Sequence, residues 1–523
     1  MRVSTSQIYN IANIGMAKAQ AAVARTDEQI ASGKRLLSPA DDPVAATTIL
    51  QITQELSRIE QYNKNITIAE NNLNLEEVAL ESVTNLIHRM KEIAVAAGNT
   101  AVLTEEDYKA YAAEIDSRIE ELLNLQNTRS STGQYIFAGY QGGTQPFTSD
   151  GGGNYSYHGD EGQLRLQAST TVSVAVSDSG KRIFMDIPSG HNTITTSANP
   201  ANRAVPAATI SVGQVVDQEA FDGLFPEDMV ITFNAPSAVA PAANNYTITE
   251  RNTGRVLVAN AVYSPGEEIT VNGVSLHISG SPMPPTAASL PFAFNPAAAP
   301  IDFATNPTTL TVSVEGRTET LELTTPVNNA AEFAAALSAG SNGAKLANLG
   351  LTVTADGIVS ANGKNITLRG GNADIDNATG LATSTGVTSS NGRPGDAFFV
   401  ESTNKQPLIT TLARFSDAMK HIKPTEEGRA QFRDMVDKTL VNLNFALTNI
   451  TSIHGEVGAR LNTLESSKDL NLDTVVHNNK VLKDLRDLDY AEASTRLQME
   501  TFILSAAQQS FVKVSQLTLF SYL

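Results

Sequence analysis

Neither cysteine nor tryptophan occurs in this chain of 523 residues. Without thiols, disulfides and thiolate-held metals are excluded. The absence also suits a polypeptide that must never crosslink in transit. Aromatic residues are scarce, at 6%, while Ala, Thr, Asn, Ser and Gly abound. That composition favours elongated, thinly cored modules over a compact enzyme. The 41% of hydrophobic residues still suffices for real cores, and the length corresponds to several domains. Positive charge is short as well: the net charge of −18 argues against nucleic acid, whose phosphates need clustered Lys and Arg. No run approaches the apolar length of a membrane span, and the uncharged stretch Pro282–Ile301 is broken by prolines. The opening residues MRVSTSQIYNIANIGMAKAQ lack the basic-then-apolar profile of a cleaved signal peptide, so any export is expected to use another route.

Catalytic and metal signatures are missing too. The histidines are far apart in sequence, with no HxxxH or HExxH, and no phosphate-binding GxxxxGK[ST] loop is present. DIDNATG (Asp374–Gly380) is faintly like a calcium loop, but its Gly is misplaced and Thr385 stands where the closing Glu belongs, so it reads as a turn. GGTQPFTSDGGG (Gly142–Gly153) reads as a loop whose glycines provide positive φ. No enzyme activity, cofactor or metal is expected.

Both ends of the chain carry long helical patterns. From Pro43 to about Ala97 there is neither Gly nor further Pro, and one apolar row recurs every seven residues: Ile52, Ile59, Ile66, Leu73, Leu80, Ile87 and Ala94. Ile49 and Leu56, then Val83 and Met90, run beside it. A heptad held this long predicts a coiled-coil-like helix. Gly98-Asn99 ends it, and Thr104 with Asp107 reads as a capping box opening a second helix to about Ser131. Val436, Leu443, Ile450, Val457 and Leu464 form a matching row near the other end, flanked by Leu440, Leu447, His454 and Leu461. His454 is expected as a tolerated or hydrogen-bonded seam residue rather than a ligand.

The outermost helices are weaker. Tyr9, Met16, Val23 and Ile30 form one stripe, with Ala12 and Ala19, while Leu497, Leu504, Phe511 and Val514 form another, with Ala493 and Ala507. Neither narrow face can bury enough surface alone to offset its ordering entropy. They need each other or neighbouring copies, so these eight residues are the candidate subunit interface; the alternative is plain core within one chain.

The middle differs. Between about Tyr140 and Val400 charge thins, and alternating runs at Leu164–Val176, Tyr246–Glu250, Glu268–Gly280 and Thr309–Gly316 predict strands between Gly, Asn and Pro. AAEFAAALSAG (Ala330–Gly340) predicts a lone helix among them. The chain should leave a helical bundle, build β modules and return.

Where the first long helix starts, SPADDPVAA (Ser38–Ala46) sets two adjacent acids beside a proline. Paired carboxylates can do acid/base work, but no His, Tyr or Lys cluster is at hand to complete a site. Proline suits the first helical position, and an acid before it can accept from the exposed amides of the first turn. Asp42 and Pro43 are therefore the expected helix start.

The stretch ASGKRLLSPADDPVAAT around these residues, with the last helix LRDLDYAEASTRLQMETFILSAAQQSFVKVSQLTLFSYL, resembles the flagellin family of the bacterial flagellum. TGQYIFAGYQGGTQPF (Thr132–Phe147), YHGDEGQLRLQ and RIFMDIPSG (Arg182–Gly190) narrow the likeness to hook-associated members at the hook–filament junction. The resemblance covers roughly residues 1–190 and 406–523. SPGEEITVNGVSLHISGSP and RPGDAFFVESTN resemble two pieces of one β domain, and residues 283–392 between them look like an extra flagellin-type module.

The expected fold is α+β and multidomain, a long antiparallel coiled-coil bundle built from both termini with β-rich modules inserted in the middle. Residues 1–43 and 471–523 would form a terminal helical domain, and 44–193 with 406–470 the bundle and its β-hairpin region. Residues 194–282 with the return strand 393–405 would form a β-rich outer domain, and 283–392 the inserted module. The resemblance implies a self-associating ring outside the cell at the junction, exported by the flagellar type III pathway. Its implied partners are copies of itself, the neighbouring hook-associated protein on the hook side, flagellin on the filament side, and a cytoplasmic export chaperone at the C-terminal helix; neither nucleic acid nor membrane is among them. The alternatives are a filament subunit, or adhesion by the inserted module.

Overall fold

The computed structural model describes residues 5–519, with side chains for Gln7 and residues 9–513. Ten α-helices occur among them: α1 (Thr5–Ser32), α2 (Pro43–Ala97), α3 (Glu105–Gln126), α4 (Gln218–Asp222) and α5 (Ala330–Ser338). They continue with α6 (Gly340–Asn348), α7 (Ala373–Thr379), α8 (Leu408–Lys420), α9 (Glu426–Arg486) and α10 (Tyr490–Leu519). The chain divides into two compact units, one of Met1–Leu75, Leu164–Ser177 and Glu456–Leu523, the other of Glu76–Gln163 and Asp178–Gly455. No described helix is long and apolar enough to cross a membrane.

The first unit is helical apart from one small hairpin, Arg165–Gln167 with Ser173–Ala175. Its start at α2 is built as the acids imply. Asp42 Oδ1 accepts the Ala45 N–H at 3.0 Å, the side-chain cap of a helix whose first residue is Pro43. Asp41 does something else: its carboxylate accepts the Leu37 and Ser38 amides at 3.0 and 3.1 Å and meets Arg25 at 2.5 Å, closing the turn. Ile59, Ile66 and Leu73 are buried along α2, as is Leu464 on α9. Between these helices Asn471 donates to Asn63 and to the Ala168 carbonyl, both at 3.0 Å, and Lys468 meets Glu70 at 3.1 Å.

Where α1 and α10 leave the long helices, the backbones join. Arg35 N–H donates to the Arg486 carbonyl at 2.8 Å, and Leu488 N–H to that of Gly33 at 3.0 Å. Gly33 has φ +68°, a left-handed conformation that favours glycine.

In the second unit the heptad residues Leu80, Ile87 and Ala94 of α2 are fully buried, as are Val436, Leu443 and Ile450 of α9. The flanking Leu440, Leu447 and His454 are only half-buried. His454 Nε2 lies 3.4 Å from Glu77, and Lys91 donates to Asn444 at 2.7 Å. Thr104 and Asp107 form the expected reciprocal capping box at α3. That helix stops at Gln126, short of Ser131. Asn127 breaks it by bonding both ways to the Phe147 backbone at 3.0 Å, as a neighbouring strand would.

Five antiparallel strands form the largest sheet, ordered Val256–Val262, Asn245–Glu250, Met229–Asn234, Ala397–Lys405, Pro188–Ala198. The hairpin Glu268–Val271 and Val274–Ser279 pairs further with Thr209–Ile210 and Gln214–Val215. These sheets share a core containing Phe221, Phe233, Leu276 and Phe398. A separate core, with Phe303, Leu310, Phe333 and Leu368, holds the sheets at Ala288–Pro291 and Thr308–Val314 with α5 to α7.

Two readings of this region are corrected. The helix at Ala330 is not alone: α6 follows at once, because the Asn342 amide docks it on the Glu322 backbone at 2.7 and 3.0 Å. Residues Asp374–Gly380 form the helix α7 and its left-handed cap rather than a turn. Asn372 caps α7 by accepting the Asp374 and Ile375 amides, and Gly380 ends it at φ +67°.

Candidate assembly surface

Helices α1 and α10 lie in the first unit and pack on each other. The rings of Tyr9 and Phe511 meet edge to face with centroids 5.5 Å apart. Met16, Val23 and Ile30 on α1, and Leu497 and Leu504 on α10, are all half-buried, as are Tyr9 and Phe511. The side chain of Val514 lies outside the described residues. The contact seen for the stripe is thus within one chain, and its contact with another copy is a matter of proposal.

Burial separates these two helices from the rest. Among their described side chains, the only apolar one that is buried is Ala493. The other buried positions are polar, Thr26 and Gln29, and Gln29 donates to the Arg35 carbonyl at 2.6 Å to fasten the end of α1.

A second apolar set is uncovered. Phe502 is 69% exposed, Ile11 65% and Met499 60%, with Ile14, Ile503 and Val512 also exposed. Sequence reasoning missed these residues by following one stripe per helix. The signal was present: Met499, Phe502 and Ile503 stand at the i, i+3, i+4 spacing of a shared face, offset from Leu497 and Leu504. At the joint, Leu36, Leu37, Pro39, Pro43, Ile49 and Leu50 line an apolar groove of about 580 Å³. Pro43, which starts α2 after the Asp42 cap, lines it, and Asp41 nearby is held below the usual carboxylate range by the Ser38 and Leu37 amides and by Arg25.

Residues 3–142 match the family described as the bacterial flagellin N-terminal helical region. Over 200 residues the chain is 34% identical to flagellar hook-associated protein 3 of Salmonella typhimurium, covering 38% of this chain and 60% of that protein. With the protein of the same name from Escherichia coli it is 34% identical over 189 residues, 36% of this chain and 58% of the other. The chain thus spans about 60% of the length of the curated relatives it matches. A flagellin of Listeria monocytogenes is 29% identical over 126 residues, 24% of this chain and 41% of that one. A solved flagellar hook-associated protein 3 of Legionella pneumophila is 23% identical, covering 84% of this chain and 98% of its own, with a TM-score of 0.42.

Elsewhere, among the described residues, the fold gathers one set of metal-competent donors that no sequence motif announces. His277 comes together in the second unit with Asp417 and His421, which stand four residues apart at the end of α8.

Proposed function

We propose that this chain is a structural, self-associating component of the bacterial flagellum, a ring of copies joining the hook to the filament. The observation that carries the reading is the near-absence of buried apolar side chains in α1 and α10. Two helices of 28 and 30 residues are ordered against little but each other. Most helical stability in proteins comes from packing an apolar face. Fully covering a side chain such as Phe502 or Ile11 contributes about 1.5–3 kcal/mol, and adjacent copies can supply that cover. Ordering is then completed at the growing structure, where neighbours are present.

In this reading α2 and α9 pair as an antiparallel coiled coil that carries the terminal helices. Its support is the buried heptad rows and the polar ties Asn63–Asn471, Glu70–Lys468, Glu77–His454 and Lys91–Asn444, whose order along the two helices is antiparallel. Subunits meet through Tyr9, Met16, Val23, Ile30, Leu497, Leu504, Phe511 and Val514, extended by the exposed Ile11, Ile14, Met499 and Phe502. The protein works outside the cell, without catalysis, after type III export. It sits between a hook-associated protein and flagellin, and a cytoplasmic chaperone covers the apolar face of α10 before export.

Immunogold labelling of intact flagella tests this. A single band at the hook–filament boundary is the expected result. Label spread along the filament would assign the chain to the filament itself, and label absent from flagella would overturn the reading.

A further inference from the structure

We infer that the second unit contains a binding site for one divalent transition-metal ion, of the zinc type, formed by His277, His421 and Asp417. The three come from two elements that the metal would fasten together. His277 lies on the strand Val274–Ser279, Asp417 in the last turn of α8, and His421 caps that helix. Their donor atoms all lie within 4.8 Å of one another. The two imidazole rings are stacked, with centroids 5.0 Å apart and planes inclined by 28°.

An independent observation points to a ligand. Nδ1 of His277 is sealed from solvent and has no hydrogen-bond partner. A buried polar atom left unsatisfied costs about 1–3 kcal/mol, and a metal–nitrogen bond removes that cost. The cluster opens on a cavity of about 260 Å³, also lined by Glu268, Lys423, Asp434 and Gln214.

The donor set selects the ion. Two imidazoles with a carboxylate suit zinc and its neighbours, whereas calcium and magnesium prefer oxygen throughout. Zinc–nitrogen bonds of about 2.0–2.1 Å in a tetrahedron require donors roughly 3.4 Å apart, so the widest pairs must close by up to about 1.4 Å. His421 and Asp417 can move, since both are at the helix end and their side chains are 55% and 26% exposed. The fourth position falls to water or to Glu268. That residue faces His277 directly across the hairpin, and its carboxylate accepts from Ser275 and meets Lys423. Such an ion would do for this cysteine-free chain what a disulfide does elsewhere, tying the hairpin to α8.

Isothermal titration of the full chain with zinc chloride tests the site. One equivalent should bind with a raised melting temperature, and cobalt should give the intense visible absorption of a tetrahedral complex. His421→Ala, at an exposed position, and Asp417→Asn, at a half-buried one, should each weaken binding about 10–100-fold, and His277→Ala combined with His421→Ala should abolish it. His158→Ala, remote from the cluster, should change nothing. Zinc affinity that survives in the His421→Ala and Asp417→Asn variants, or no saturable binding by the native chain, overturns the assignment.

Discussion

Tyr9 and Phe511, near opposite ends of the sequence, hold their rings edge to face at a centroid separation of 5.5 Å. This contact joins α1 to α10 far from the joint at Gly33, where the same helices begin to pair. A pair of this geometry contributes about 0.5–1.5 kcal/mol beyond the area it buries. Tyr9→Ala and Phe511→Ala should therefore each increase amide exchange in both helices of the assembled protein. A double-mutant cycle should give a coupling of about 1 kcal/mol. Additive effects would mean that the rings do not fasten the ends.

Replacing Phe502 by Asp separates assembly from folding. The side chain is already in water, so the melting temperature should stay within about 0.5 kcal/mol of equivalent stability while polymerisation is lost. Leu443 is fully buried, and Leu443→Asp places a charge in the core of the second unit, so the folded state should be lost altogether. Circular dichroism and sedimentation distinguish the two outcomes. Equal melting losses would contradict the division.

Asp42 and Asp41 should fail differently. Asp42→Ala removes the cap of α2 and should cost about 0.5–2 kcal/mol in thermal unfolding. The Asp41 carboxyl is held below its usual value of 3.8 by the Ser38 and Leu37 amides and by Arg25. The unfolded chain therefore takes up that proton at a higher pH than the folded chain. The stabilisation is complete above about pH 4 and is lost as pH falls through the folded value. Asp41→Asn should melt lower than the native protein at neutral pH, with the gap narrowing below about pH 4. A gap constant at every pH would contradict the assignment.

Arg414 is buried on α8 with neutral partners. Its guanidinium donates to Thr193 and Gln406 at 2.6 and 2.7 Å and to the Ile194 carbonyl at 2.5 Å. Burial pushes its pKa down to about 10, so it remains charged at neutral pH. Arg414→Ala strands several buried acceptors and should lower stability by at least about 2 kcal/mol in urea unfolding. Arg414→Lys should recover only part of this, since an ammonium cannot reach the same set as a planar fork.

The helical ends were legible because their signals are local and periodic. The row from Ile59 to Ala94 is buried throughout, and the caps at Asp42 and Thr104 form as read. Helix α6 and the early end of α3 were not legible, because each depends on an asparagine finding a distant backbone: Asn342 at Glu322, and Asn127 at Phe147. The apolar set at Ile11, Met499 and Phe502 was half legible. Its spacing is in the sequence, but only the fold tells which of two stripes stays uncovered. The meeting of His277 with His421 depends on a β-hairpin reaching the end of α8, which no local pattern encodes.

The central claim is that α1 and α10 complete their packing only against other copies. Amide hydrogen exchange followed by mass spectrometry, on the monodisperse monomer and on the assembled ring, tests it most directly. The account predicts fast exchange over residues 5–32 and 490–519 in the monomer and strong protection of both in the assembly, with α2 and α9 protected in each. Full protection of both terminal helices in the isolated monomer would contradict it.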